Sequence, residues 1–264
     1  MKTKIAIIGM GFVGSAIHSS FSTNTDVELL AIDPAKGWLA SYRDIINFDA
    51  VFVCVPSPQR ADGSCDTSIL VSVLKELETV NFKGVIISKV TAIPSVYIGL
   101  NSIYANLIHA PEFLTAANAV SDYVNGKFAI IGGKTTAYRN EAERIIKLSQ
   151  PNLKSVVHCS IGEASFAKYT INSFLATKVI FMNEMAKLAE ENHCDWNAIK
   201  QAVGQDIRLG TSHMQVPGPD GDYGFGGMCF PKDTNAMLKF AEWCEQDLSV
   251  LATAVAKNNK IRLT

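Results

Sequence analysis

The apolar run Lys4-Ile5-Ala6-Ile7-Ile8 passes directly into Gly9-Met10-Gly11-Phe12-Val13-Gly14. A run without a polar face reads as a strand covered on both sides, as in a parallel sheet. In a turn of this spacing the first glycine permits a tight bend and the second lets the backbone approach a pyrophosphate. The third allows a helix to pack closely on the strand. The amphipathic stretch from about Phe12 to Phe21 reads as that helix, whose free N–H groups and positive dipole end would face phosphates. Val27 to Ile32 reads as the next strand, ending at Asp33. Asp33 follows the turn by about 20 residues, where a carboxylate can accept from a ribose 2′-hydroxyl. It would also repel a 2′-phosphate, which favours NAD over NADP; Lys36 is the nearby residue that argues for NADP. The expected cofactor contacts are therefore Gly9, Gly11, Phe12, Val13, Gly14, Asp33 and Lys36.

The same alternation continues. Ala50 to Val55 is a strand stopped by Pro56, a helix follows near Ser68 to Leu77, and strands are expected at Val85–Ser88, Leu107–His109 and Phe128–Ile131. A helix from about Thr136 to Leu148 and a short strand near Val156-Val157 close this half. Val/Ile runs separated by helical segments indicate a doubly wound parallel sheet. From Gly162 to about Asn192 there is one long helical pattern with no internal Pro or Gly, and Trp196–Val203 and Thr234–Asn258 also read as helical. The expected division is a sheet domain over residues 1–158 and a helical domain over residues 159–264.

Composition narrows the function. With a net charge of −1 and no Lys/Arg run, a nucleic-acid or membrane-surface partner is not expected. No apolar stretch approaches the ~18 residues of a membrane span. The N-terminus enters a strand without a signal peptide, so a cytoplasmic protein with reduced thiols is expected. The six cysteines, at 54, 65, 159, 194, 229 and 244, lack metal-ligand spacing, and no metal is expected.

One cysteine stands apart. Tyr223-Gly224-Phe225-Gly226-Gly227-Met228-Cys229-Phe230-Pro231-Lys232-Asp233 sets a thiol among glycines, a lysine and a carboxylate. A neighbouring cation favours the thiolate, the nucleophilic form. On the long helix Lys168 and Asn172 are four residues apart and share a face. Together they could donate to a developing oxyanion; apolar Phe166, Ala167 and Ile171 beside them suggest partial burial.

These segments, with Val55-Pro56-Ser57-Pro58, Gly63 and Asp66, Lys89-Val90-Thr91 and Pro111-Glu112-Phe113-Leu114, occur in an order that resembles the UDP-glucose/GDP-mannose dehydrogenases over essentially the whole chain. The UDP-glucose branch is the more similar. The resemblance implies an α/β fold: an N-terminal Rossmann domain, a long central helix and an all-helical dimerisation domain. It implies oxidation of a sugar C6 alcohol to the carboxylate (UDP-glucose, two NAD and water to UDP-glucuronate and two NADH) through a thiohemiacetal and a thioester on Cys229. Lys168 and Asn172 would stabilise the oxyanions, Asp233 would shuttle protons with Thr91 holding a water, and Glu112 would assist thioester hydrolysis. Val55, Pro56 and Thr91 would join the cofactor contacts. Phe113, Leu114 and Gly226 would meet the substrate, and Arg208 would reach it across a homodimer interface.

Two departures qualify this. Where many relatives carry a second glutamate four residues after Glu112, this sequence has Ala116, so either NAD binds more weakly or another group compensates. Relatives also continue beyond the equivalent of Asn258 into a third domain that holds the nucleotide. The expectation is that a separately encoded domain supplies it, that the substrate differs, or that the protein is a catalytically impaired NAD-binding dimer. The competing enzyme reading is a β-hydroxyacid dehydrogenase making a single hydride transfer, which also places Lys-x-x-x-Asn on a long helix but needs no cysteine.

Overall fold

Ile5 and Ile7 leave the first strand on one side, Ala6 and Ile8 on the other, and all four are buried. In the strand Ala50–Val53, Ala50 and Phe52 enter the first layer and Val51 and Val53 the second. Side chains alternate across a strand, so such sequences need cover on both faces. The structure, a computed structural model that describes residues 2–22 and 24–262, provides it.

The described strands are β1 (Thr3–Ile8), β2 (Val27–Asp33), β3 (Trp38–Leu39), β4 (Ala50–Val53), β5 (Val85–Ser88), β6 (Leu107–His109), β7 (Phe128–Gly133) and β8 (Ser155–Cys159). They form one sheet in the order β3-β2-β1-β4-β5-β6-β7-β8. On one face α1 (Phe12–Phe21), α4 (Ala119–Val124) and α5 (Thr136–Ser149) bury Ile17, Phe21, Tyr123, Ile145 and Ile146. On the other α2 (Ser68–Thr79) and α3 (Pro94–Ile103) bury Leu70, Leu74, Leu77 and Tyr97. Each large apolar side chain so enclosed contributes about 1.5–3 kcal/mol.

The sheet is mostly parallel rather than wholly so. β3 runs antiparallel to β2, and β7 antiparallel to β6, with Ile108 opposite Gly133. Hydrophobic pattern shows which residues are buried but carries no strand direction, which is why this reversal escaped the sequence. A Cβ at Gly132 would overlap Ala164, so the glycine lets β7 pass close to the start of the long helix. Three elements were also unread: two-residue β3, α3 and six-residue α4. Strands β1, β4, β5 and β6 end along one edge, and the segments after them carry the candidate site, as open α/β sheets dictate.

The chain divides into two compact units, residues 1–58 with 66–168, and residues 59–65 with 169–264. The division falls inside the helix α6 (Ile161–Glu191), ten residues past the 158/159 boundary read from sequence. The second unit also contains α7 (Trp196–Val203), α8 (Phe230–Trp243) and α9 (Ser249–Arg262). Asp195 caps α7 by accepting from the Asn197 amide at 2.9 Å. Where Thr234–Asn258 read as helical, the structure starts α8 at Phe230 and interrupts the run at Glu245, whose φ is 55°. Pro231 is compatible with the earlier start, because the first helical turn has no N–H partner to lose. Among the described residues no helix is long and apolar enough to cross a membrane, and no cluster of His, Cys, Asp or Glu could hold a metal ion.

Candidate active site

In the first unit the glycine turn has the close packing that a dinucleotide site needs. Gly9 has φ 91°, and a Cβ there would lie 2.8 Å from the Cys54 carbonyl oxygen. At Gly14 a Cβ would overlap the Gly9 carbonyl, whereas at Gly11 it would meet nothing within 4 Å. Gly14 is therefore required by the fold, and Gly11 leaves open space above the N-terminus of α1. Phe12 is exposed and Val13 packs against the core. Asp33 accepts the Met10 amide at 2.8 Å through Oδ2, and Lys36 donates to the Met10 carbonyl at 2.7 Å. Asp33 Oδ1 makes no hydrogen bond among the described residues, so a ribose hydroxyl can donate to it. Lys36 is spent on the turn. These features fit NAD.

The two glycines can be separated by experiment. Gly14→Ala should destabilise the unit by about 1–3 kcal/mol, the usual cost of overpacking. Gly11→Ala should leave the urea midpoint unchanged but weaken NAD binding about 10-fold or more, since its methyl would occupy the phosphate's approach. Equal stability losses in both would contradict this division of labour.

Beyond β4, Val55 is partly buried and Pro56 exposed, and Ser57 Oγ donates to the Thr91 carbonyl at 2.9 Å. That bond ties the two loops expected to flank the cofactor. After β6, Glu112 accepts the Leu114 amide at 2.8 Å. Lys168, only 4% exposed, donates to the Glu112 carbonyl, lies 3.4 Å from its carboxylate and sits 5.0 Å from the centre of the Phe113 ring. Phe113 in turn packs on Phe128 at 4.8 Å. Three residues expected to act on substrate are thus brought together around one buried amine. Ala116 is exposed in a short 3-10 turn.

In the second unit Cys229 is the exposed N-cap of α8. A thiol there meets the positive end of the helix dipole, which favours the thiolate. Lys232 follows one turn on. Burial pulls its pKa down, but Asp233 and the thiols of Cys65 and Cys229 outweigh this and raise it, so it stays cationic. Asp233 is 1% exposed and fully engaged: Lys232 donates to Oδ1 and Asn172 to Oδ2, both at 2.6 Å. Asn172 retains a second amide hydrogen, so it can donate elsewhere.

The glycine loop before Cys229 is held from two helices, which the sequence reading missed. Asn183 of α6 accepts the Gly224 amide at 2.9 Å, and Asn258 of α9 accepts the Phe225 amide at 2.7 Å. Arg262, one turn past Asn258, pairs with Asp220 at 2.8 Å and Asp222 at 3.1 Å and donates to the Gly224 carbonyl at 3.2 Å. A Cβ at Gly226 would come within 2.9 Å of Arg262 and Asp220. The available signal was the Asn–Arg pair at helical spacing near the end of the chain. Asn258→Ala should cost about 1–3 kcal/mol in urea unfolding, because it strands a buried amide. An unchanged midpoint would mean the loop holds itself. Arg208 is elsewhere: it is exposed, paired to Asp206 at 2.9 Å, and bonded to no other expected site residue.

Comparison with known proteins places these features. Residues 36–150 match the NAD binding domain of the UDP-glucose/GDP-mannose dehydrogenase family, and residues 162–260 match its central domain. UDP-glucose 6-dehydrogenase YwqF of Bacillus subtilis is 30% identical, over 88% of this chain and 54% of its own length. This chain spans about half to two thirds of the length of the curated relatives it matches. Among solved structures, a UDP-glucose dehydrogenase from Pyrobaculum islandicum superposes with a TM-score of 0.82 at 22% identity, covering 98% of this chain and 68% of that one. A 3-hydroxyisobutyrate dehydrogenase from Mycobacterium tuberculosis superposes with a TM-score of 0.76 at 15% identity, covering 98% and 94%. Fold alone therefore does not separate the two enzyme readings. NAD is the cofactor that the matched domain and the glycine turn both indicate, and the chain belongs to the UDP-glucose/GDP-mannose dehydrogenase family.

Proposed function

We propose that the protein oxidises the C6 alcohol of a UDP-sugar, UDP-glucose foremost, to the carboxylate, with Cys229 as covalent nucleophile. The observation that carries this reading is the thiol at the N-terminus of α8 with Lys232 and a buried, doubly bonded Asp233 behind it. A single-hydride β-hydroxyacid dehydrogenase has no use for that arrangement.

Bound NAD⁺ supplies the hydride acceptor, twice per sugar. Removal of a hydride and a proton from the alcohol leaves an aldehyde, and the Cys229 thiolate adds to its carbon to give a thiohemiacetal. Loss of a second hydride gives a thioester. Water then adds and the thiolate leaves, releasing the acid. Lys168 and the free amide hydrogen of Asn172 stabilise the successive oxyanions. Asp233 carries protons, and Glu112 activates the water of hydrolysis. The backbones of Phe113 and Leu114 meet the sugar nucleotide.

The reading includes a homodimer. Phe174, Phe181, Met185 and Leu188 are exposed along α6 at spacings of seven, four and three, and this apolar stripe suits a second copy of the same helix. Arg208 is the residue such a partner would present to the substrate. The test is to count NADH per sugar with purified protein and a panel of UDP-sugars. Two per sugar supports the thioester route, one overturns it, and none with NAD still bound favours a non-catalytic dimer.

A further inference from the structure

Lys89 follows β5 and is only 7% exposed. Its backbone N–H donates to the Val53 carbonyl at 2.9 Å, which fixes where its side chain leaves the sheet. Its amine makes no hydrogen bond or ion pair with any described residue. What it does meet are rings, Phe52 at 6.0 Å and Tyr123 at 5.8 Å. An ammonium group so placed has lost water without gaining an acceptor, and a buried polar group in that condition calls for a missing partner.

Lys89 lines a cavity of about 360 Å³ in the first unit, together with Glu112, Phe113, Leu114, Tyr123 and Phe128. That volume lies at the small end of ligand pockets, roughly 300–1,000 Å³. The acidic groups of its wall are already engaged. Glu112 is held by Lys168 and the Leu114 amide, and Asp122 accepts from the Thr115 amide at 2.8 Å and its hydroxyl at 2.6 Å. The other titratable groups facing Lys89 are Cys54 after β4, His109 of β6 and Tyr123 of α4. Burial pushes the Cys54 thiol up to about 12 and holds His109 down to about 3, so both are neutral near pH 7. Burial likewise raises Tyr123. With Glu112 balanced by Lys168, and with Asp122 and Lys127, which also line the cavity, of opposite charge, one positive charge remains uncompensated.

We propose that this cavity is a binding site for a small monocarboxylate of sugar-acid size, whose carboxylate is received by Lys89 and whose body lies against Phe113, Tyr123 and Phe128. One uncompensated cation matches a monoanion. A phosphate dianion would leave a negative charge unpaired against a desolvated wall, which is costly. The assignment deepens the reading above, since that reaction makes a sugar carboxylate, but it does not depend on Cys229.

The test is isothermal titration of the full chain with D-glucuronate, D-glucose and inorganic phosphate at pH 7 and pH 9.5. Glucuronate should bind one site, with glucose about 10-fold weaker or more and phosphate weaker than glucuronate. Because burial lowers the Lys89 pKa to about 8, glucuronate affinity should fall about 10-fold at pH 9.5. Lys89→Met should lose the binding at pH 7, and the pH arm on the unaltered chain tests the idea even if that variant misfolds. Cys229→Ala should bind glucuronate normally while making no NADH, so failure of the catalytic reading leaves this test intact. Equal binding of glucose, tighter binding of phosphate, an indifferent Lys89→Met or a flat pH response would each overturn the proposal.

Discussion

Cys229→Ser should reduce NADH formation from a UDP-sugar by about three orders of magnitude, equivalent to about 4 kcal/mol of barrier, and should not exceed one NADH per sugar. The size follows from what the thiolate alone can do. An aldehyde gives up hydride poorly, whereas its thiolate adduct carries an alkoxide-like oxygen that drives the hydride out. A serine hydroxyl is not ionised by a helix N-terminus and one lysine, so the adduct does not accumulate. The substitution is nearly isosteric and the site exposed, so stability should shift by less than about 0.5 kcal/mol. A lost rate with an unchanged urea midpoint is thus the expected pair of results. Two NADH per sugar at an undiminished rate would remove Cys229 from the chemistry.

Lys89→Met should make the protein more stable at pH 7, by up to about 3 kcal/mol, against the usual direction of core substitutions. Burial lowers the Lys89 pKa to about 8 from 10.5, so the folded state disfavours its charged form. The sign follows by linkage. Below pH 8 both folded and unfolded chains hold the proton, and the fold carries the full cost of an unpaired ammonium group. Between pH 8 and 10.5 the unfolded chain binds more protons than the folded one, so stability rises with pH. Methionine fills similar space without charge. Its advantage should be largest at pH 7 and shrink as pH approaches 10.5, as read by urea midpoints across that range. A less stable variant at pH 7, with a flat pH dependence in the original chain, would show that the amine has a partner after all.

The parts legible from sequence are those written in contiguous residues. The strand, glycine turn and helix from Thr3 to Phe21 stand where they were expected, because burial on both faces and the need for Gly14 are local properties. The same holds for α6, whose length shows as an unbroken helical pattern. What pattern could not show was partnership across distance. Lys89 in the sequence is one residue of Lys89-Val90-Thr91, and nothing beside it says that its amine ends against Phe52 and Tyr123. Asn258 and Arg262 read as ordinary polar residues of a terminal helix until the loop at 220–225 is folded onto them. Arg208 shows the limit from the other side. A motif can suggest its role, yet among the described residues of a single chain its guanidinium pairs only with neighbouring Asp206.

The clamp on the cysteine loop also bears on the order in which the protein becomes functional during synthesis. The proposed nucleophile lies at residue 229, but part of what holds the loop leading to it, an acceptor and a cation, comes from Asn258 and Arg262. Until the helical turn at 258–262 has emerged from the ribosome, of the two helices that hold the loop only α6 is present, through Asn183, whereas the sheet unit ends at residue 168 and can close long before. A nascent chain would therefore acquire its glycine turn first and a fully held Cys229 loop only after residue 262 has been made.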